Sequence, residues 1–176
     1  MKRPSPIKLA RSGIWKDGHR IELLENGEEF FPRVNQAIEA AQQRVVIETF
    51  ILFEDEIGIE LARVMKEAAR RGVQVDITVD GYGSSGLTLA FVTALAEAGV
   101  RLHVYDPRPT LFGMRTNLFR RLHRKIVLID DRIAFVGGIN YSFDHVRKFG
   151  PEAKQDYALM IEGPMVDDIR QLTDTL

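Results

Sequence analysis

The chain has 176 residues, a formal net charge of −1 and no cysteine. That length suits one domain with a substantial core; the charge gives no global pull towards nucleic acid or anionic lipid, and the missing thiols exclude disulfides and thiolate metal sites. No apolar run approaches the ~20 residues of a membrane-spanning helix, and the amino-terminal MKRPSPIKLARSG is basic without the apolar centre of a secretory signal.

Residues 1–19 are polar and read as a loose segment, with Trp15 as a candidate anchor. Arg20–Glu25 reads as a first strand closed by Asn26-Gly27. Glu28–Gln43 follows as a helix carrying Phe30, Phe31, Val34, Ala37, Ile38 and Ala41 on one side, with Pro32 near its start, where a missing amide costs least. Arg44–Phe53 is apolar on both faces and therefore a central strand. Ile57–Arg71 is a second helix stopped by Gly72, Val73–Asp80 a strand, and Gly81–Gly86 a loop. Leu87–Ala98 is a third helix stopped by Gly99, and Val100–Tyr105 another strand. Strands alternating with helices imply right-handed crossovers and a largely parallel sheet covered on both faces.

The pattern then changes. Arg124–Asp130 and Arg132–Gly138 read as a hairpin about an Asp131-Arg132 turn, Gln155–Glu162 as a further strand, and the residues after Pro164 as a last helix with Met165, Val166, Ile169 and Leu172 at helical spacing. With no Gly or Asn stop signal before Leu176, this helix is expected to continue in a longer protein. The fold class expected is α/β, a mixed sheet sandwiched between helices, forming one domain over residues 20–176 behind the loose residues 1–19.

Chemistry concentrates in HRKIVLIDDRIAFVGGIN, which spells His-x-Lys-x4-Asp-x6-Gly-Gly-x-Asn from His123 to Asn140. Residues two apart on a strand share a face, so His123 and Lys125 are expected to enter one pocket. A neutral imidazole nitrogen can attack a phosphodiester and form phosphohistidine, splitting one hard displacement into two easier ones. The Lys125 ammonium would neutralise the nonbridging oxygens as charge builds, and the Asn140 amide could donate to the same oxygens. Gly137 and Gly138, lacking side chains, are expected to let backbone approach substrate closely.

These residues resemble the HKD signature of the phospholipase D superfamily. ENGEEFFPRVNQAIEAAQQRVVIETFILFEDEIG, RRGVQVDITVDGYGS, DPRPTLFGMRTN and KQDYALMIEGP extend the likeness to bacterial cardiolipin synthases, most like type B, over residues 20–172 in order. The resemblance implies condensation of two phosphatidylglycerol molecules to cardiolipin and glycerol through a phosphohistidine, with no metal or other cofactor. It makes Asp130 part of the catalytic signature, although its odd spacing from Lys125 points it away from His123, towards a role in the hairpin. Such enzymes usually carry two HKD motifs. Here His19, His103 and His145 lack the His-x-Lys pattern, so the partner expected is a missing second half or a second copy of the chain. A single-motif dimeric phosphodiesterase, acting on lipid or nucleic acid, and an inactive lipid-binding half-enzyme are the competing readings. Nucleic acid is not the partner expected; phosphatidylglycerol and an anionic membrane surface are, with peripheral placement on the cytoplasmic side of the cell membrane.

Other residues have supporting parts. Asp156 matches the acidic residue that orients the histidine in the superfamily, with Glu152 as local rival. Glu48 interrupts an apolar strand and needs a partner or a raised pKa: it faces either the active site or an arginine. Asp80-Gly81-Tyr82-Gly83-Ser84 ends a strand where α/β folds commonly bind ligands, and the resemblance sets this loop, with Ser84, near the lipid headgroup. From Pro107 to Arg124, Arg108, Arg115, Arg120, Arg121 and Arg124 alternate with Leu111, Phe112, Met114, Leu118 and Phe119. That mixture suits phosphates lying above acyl chains, with Arg115 as a headgroup ligand, and equally suits a surface loop.

Overall fold

A computed structural model describes residues 15–106, 110–111, 114–115 and 121–175, the two short internal pieces as backbone only. Nine strands and four α-helices follow in order: β1 (Arg20–Glu25), α1 (Asn26–Ala40), β2 (Arg44–Thr49), α2 (Glu56–Arg70), β3 (Gln74–Asp80), α3 (Leu89–Glu97), β4 (Arg101–Tyr105), β5 (Thr110–Leu111), β6 (Met114–Arg115), β7 (Ile126–Ile129), β8 (Ile133–Gly137), β9 (Tyr157–Glu162) and α4 (Met165–Thr173). Seven strands form one sheet in the order β1-β9-β8-β7-β2-β3-β4, while β5 and β6 pair separately. β2, β3 and β4 are parallel, and β7 joins β2 antiparallel with Glu48 opposite Ile126. β8, β9 and β1 continue the sheet antiparallel. The expected α/β sandwich is present; its parallel part ends at β2.

The centre of the sheet is buried on both sides because β2 and β7 are apolar at successive positions. Val45, Ile47, Ile77, Val79, Val127, Ile129 and Phe135 pack beneath α1 and α2, where Phe30, Val34, Ile38, Leu61 and Met65 close the larger core. On the other side Val46, Leu128, Ala134 and Ile161 meet Val166 of α4. This alternation fixes the register, since a slip by one residue would exchange the two faces. It also decides where polar groups point: Glu48 shares the α4 side with Val46, whereas Lys125 shares the α1/α2 side with Val127.

Two helix starts tie the frame to the loops. Asp55 caps α2 by accepting from the Ile57 and Gly58 amides at 3.0 and 3.1 Å, and its other oxygen accepts from the Phe143 amide at 2.6 Å, beyond β8. Asn26, expected to close β1 as a turn, instead opens α1 in the left-handed region at φ 57. Its amide donates to the Asp156 carbonyl and its side-chain oxygen accepts from the Asp156 amide, both at 2.8 Å. The hairpin also bends one residue earlier than expected. Asp130 and Asp131 hold the positive φ values, 50 and 52, and the Arg132 amide donates to the Ile129 carbonyl at 2.9 Å. A short aspartate tolerates that conformation better than arginine does.

Candidate active site

The carboxyl ends of parallel strands β2 and β3 meet the chain entering β7, the end of β8 and the start of β9 at one end of the central strands. His123 and Lys125 stand just ahead of β7 rather than within it, in extended chain outside its ladder. His123 is exposed, and its ring centroid lies 5.3 Å from that of Phe50. Among the described residues its imidazole makes no hydrogen bond, which leaves a nitrogen lone pair available to an incoming phosphorus. Lys125 is 9% exposed, donates to the His123 carbonyl at 3.0 Å and sits 5.5 Å from the same Phe50 ring. Burial pulls its ammonium below the ordinary lysine range, and the Asp156 carboxylate opposes that pull. A nucleophile at the rim above a half-desolvated cation is an arrangement that favours charge building on phosphate oxygens.

The glycine pair is crowded by neighbouring chain. A side chain on Gly137 would collide with the Tyr157 carbonyl and Ala158, and one on Gly138 would collide with the Asp156 carboxylate. The two glycines therefore let β9 lie close and seat Asp156 against the site, so the close approach seen here is that of protein. Asp156 also accepts from the Tyr157 amide at 2.8 Å, and its charge bears on Lys125. Among the described residues no hydrogen bond runs from the His123 imidazole to the Asp156 carboxylate. Glu152, its rival, is exposed in the preceding turn. The Asn140 side-chain oxygen accepts from the Ile51 amide at 3.1 Å, while its amide nitrogen reaches the Gly138 carbonyl only at 3.5 Å. That nitrogen is the group left to meet a substrate oxygen.

Several other expectations are corrected. Asp130 is not brought to His123 and Lys125 and, as its odd spacing indicated, serves the hairpin: its carboxylate accepts from the Gln42, Gln43 and Arg44 amides at 2.8, 2.8 and 2.9 Å at the far end of β7. Burial raises its pKa, but those amides outweigh that effect and hold it below the usual carboxylate range. Ser84 is 6% exposed and structural, donating to the Phe50 carbonyl at 3.2 Å and accepting from the Leu52 amide at 2.9 Å. Its hydroxyl is thus spent on the chain that carries Phe50. Of the two alternatives for Glu48, the arginine is the one present. Arg124 Nε lies 2.7 Å from one carboxylate oxygen and Nη2 donates to the other at 3.1 Å. Burial pushes the Glu48 carboxyl up to about 7 even against the pull of Arg124. The Arg115 side chain, like those of Arg108 and Arg120, lies outside the described residues; Arg121 stacks over the Tyr82 ring at 4.5 Å.

Phe50 and His145 escaped the sequence reading, and Asp80 was read there only as the head of its loop. Phe50, grouped there with an apolar strand, lies beyond the end of β2 and turns its ring onto the site. Asp80, wholly buried, accepts from the Tyr82 and Gly83 amides at 2.9 and 3.0 Å and from the Leu122 amide at 2.8 Å. An aspartate at a strand end before glycine is a signal for such capping, although its long-range bond is not legible locally. His145 is 1% exposed and accepts at Nε2 from the Asn140 amide at 3.3 Å. Burial lowers its pKa, with Asp144 opposing, and the ring, accepting at Nε2, braces the loop that carries Asn140.

Against known proteins, residues 34–175 match the family described as "Cardiolipin synthase, PLD-like domain". Cardiolipin synthase B of Salmonella typhi is 59% identical over 157 residues, covering 89% of this chain and 38% of that protein. This chain therefore spans well under half the length of that curated relative. Among solved structures, NucT from Helicobacter pylori has a TM-score of 0.70 at 16% identity, covering 90% of this chain and 95% of that one. Phosphatidylserine synthase of Haemophilus influenzae has a TM-score of 0.63 at 19% identity, covering 88% and 36%. At these identities the structural likenesses show the fold alone.

Proposed function

The chain belongs to the cardiolipin synthase, PLD-like domain family, and on that premise we propose that it carries the nucleophilic half of a phosphatidyltransferase that makes cardiolipin. His123 attacks the phosphorus of phosphatidylglycerol; a P–N bond forms, the P–O bond to the headgroup glycerol breaks, and that glycerol leaves with a proton from a general acid. The headgroup hydroxyl of a second phosphatidylglycerol then attacks, surrenders its proton and restores the imidazole, giving cardiolipin. Lys125 stabilises the nonbridging oxygens in both steps, the Asn140 amide adds a hydrogen bond, and Asp156 holds the charge balance beside Lys125. The observation that carries this reading is the exposed His123 imidazole, free of hydrogen bonds among the described residues, beside the buried Lys125 ammonium.

The general acid is assigned to a second His-x-Lys site, supplied by a further stretch of the protein or by another copy, with residues 20–176 forming one catalytic domain. No helix among the described residues is long and apolar enough to cross a membrane. The reading includes peripheral attachment at the cytoplasmic face, through the arginine-rich segment from Pro107 to Arg124. Charge reversal at Arg115, Arg120 and Arg121 should weaken binding to phosphatidylglycerol vesicles; undiminished binding at low salt would remove that assignment. For the activity, the complete protein is supplied with phosphatidylglycerol and the lipid products are resolved. Cardiolipin supports transfer. Phosphatidic acid alone would replace it with hydrolysis, and no product would leave a lipid-binding domain.

A further inference from the structure

We propose that Asp80 and Glu48 are positioning residues of the nucleophile, two buried carboxylates that fix the backbone on either side of His123 by holding its chain neighbours. The inference rests on the phosphohistidine reading above and adds the means by which the imidazole is aimed. His123 needs such means. Its ring has no hydrogen bond among the described residues, and the ladder between β7 and β2 begins only at Ile126. Residues 121–124 lie outside regular pairing, and the Lys125 carbonyl is held only by the Gly137 amide at 3.3 Å, one step beyond the β7–β8 ladder.

Side chains supply what the ladder does not. On the amino side, the Leu122 amide donates to Asp80 Oδ2 at 2.8 Å, while Oδ1 is occupied by the Tyr82 and Gly83 amides. Asp80 ends β3, and β2 lies between β3 and β7, so this bond crosses a strand to reach the residue before the nucleophile. On the carboxyl side, Arg124 points to the opposite face, where Nη2 donates to Glu48 Oε1 at 3.1 Å, Nε lies 2.7 Å from Oε2 as an ion-pair contact, and Nη1 donates to the Leu172 carbonyl at 3.1 Å. Between the two, Lys125 Nζ holds the His123 carbonyl at 3.0 Å. Asp80 is 0% and Glu48 2% exposed. Burying a carboxylate is costly unless it is partnered; Leu122 is one of the three partners of Asp80, and Arg124 is the partner of Glu48, both residues standing next to His123.

The test measures the rate at which His123 takes up label from phosphatidylglycerol in a single turnover of the complete protein, with lipid KM and melting temperature beside it. Asp80→Asn keeps an acceptor for the Tyr82 and Gly83 amides but turns an NH2 towards the Leu122 amide. It should slow loading on the order of 100-fold, the scale of an ångström-sized misplacement, with KM unchanged. Glu48→Gln and Arg124→Met should each slow loading, and the double variant should be no slower than the worse single, because the carboxylate acts only through the guanidinium. Loading at the wild-type rate in folded Asp80→Asn, or additive losses in the Glu48/Arg124 cycle, would overturn the proposal. If Asp80→Asn does not fold, the cycle alone decides. Wild-type protein that never loads His123 would instead defeat the functional reading, so the two failures are distinct.

Discussion

Replacing Asp130 by alanine should unfold the protein more easily and leave its chemistry intact, although Asp130 completes the signature sequence. The carboxylate accepts from the Gln42, Gln43 and Arg44 amides, so three charge-assisted hydrogen bonds disappear together. Such bonds contribute about 1.5–3 kcal/mol each. Gln42 and Gln43 are exposed, so water replaces much of the loss; at about 1 kcal/mol per amide the total is about 3 kcal/mol. Alanine at the φ of 50 found here adds about 1 kcal/mol, which glycine would not. At about 2–4 °C per kcal/mol for a chain of this size, the melting temperature should drop by roughly 10 °C, and by less in Asp130→Gly. Because the folded-state pKa is depressed, this stabilisation is present above the unfolded value and is lost as pH falls through the folded one. Turnover, measured well below the melt, should stay within about twofold, since strand rise separates Asp130 from Lys125 by ~16 Å. An unchanged melt with collapsed turnover would refute the reasoning and return Asp130 to the reaction.

Ser84→Ala should destabilise by about 1–3 kcal/mol in urea titrations, because the buried Leu52 amide loses its acceptor, while the KM for lipid stays put. A raised KM with unchanged stability would restore a headgroup role. Gly138→Ala should cut turnover at least about tenfold by displacing Asp156, visible against a melting temperature that falls little; wild-type turnover would separate Asp156 from catalysis. For Glu48, a folded pKa of about 7 against the ordinary 4.5 means the native state binds the proton more tightly. Wild-type stability relative to Glu48→Gln should therefore decline as pH rises from 4.5 through 7, by about 3 kcal/mol in all, and run parallel below 4.5. Parallel curves from about pH 4 to 8 would contradict that burial.

The sequence was most legible where one periodicity governed a segment. β1 through β4 and the first three helices lie within a few residues of expectation, because apolar spacing and glycine stops are local signals. The errors fall where distant chain intervenes. The end of α1 could not be judged locally, since the residues after Ala40 are drawn off by the Asp130 carboxylate, which lies 86 to 88 positions away from its partners. Gly137 and Gly138 were recognised as sites of close approach, but what approaches is β9, and strand order is not written in the motif. Glu48 was legible as an anomaly and its arginine was not, because Arg124 becomes its neighbour only when β7 pairs with β2. Phe50 and His145 carry no motif of their own, and Asp80 is legible only as the head of its loop; what each adds to the site comes through a contact set by topology.

The most direct measurement is to quench the complete protein during turnover with phosphatidylglycerol labelled in its phosphate and to map the bound label by mass spectrometry. The account predicts an acid-labile, base-stable phosphatidyl group on His123, absent from His123→Ala together with cardiolipin formation. Label on another residue, or cardiolipin made at the wild-type rate by His123→Ala, would contradict it.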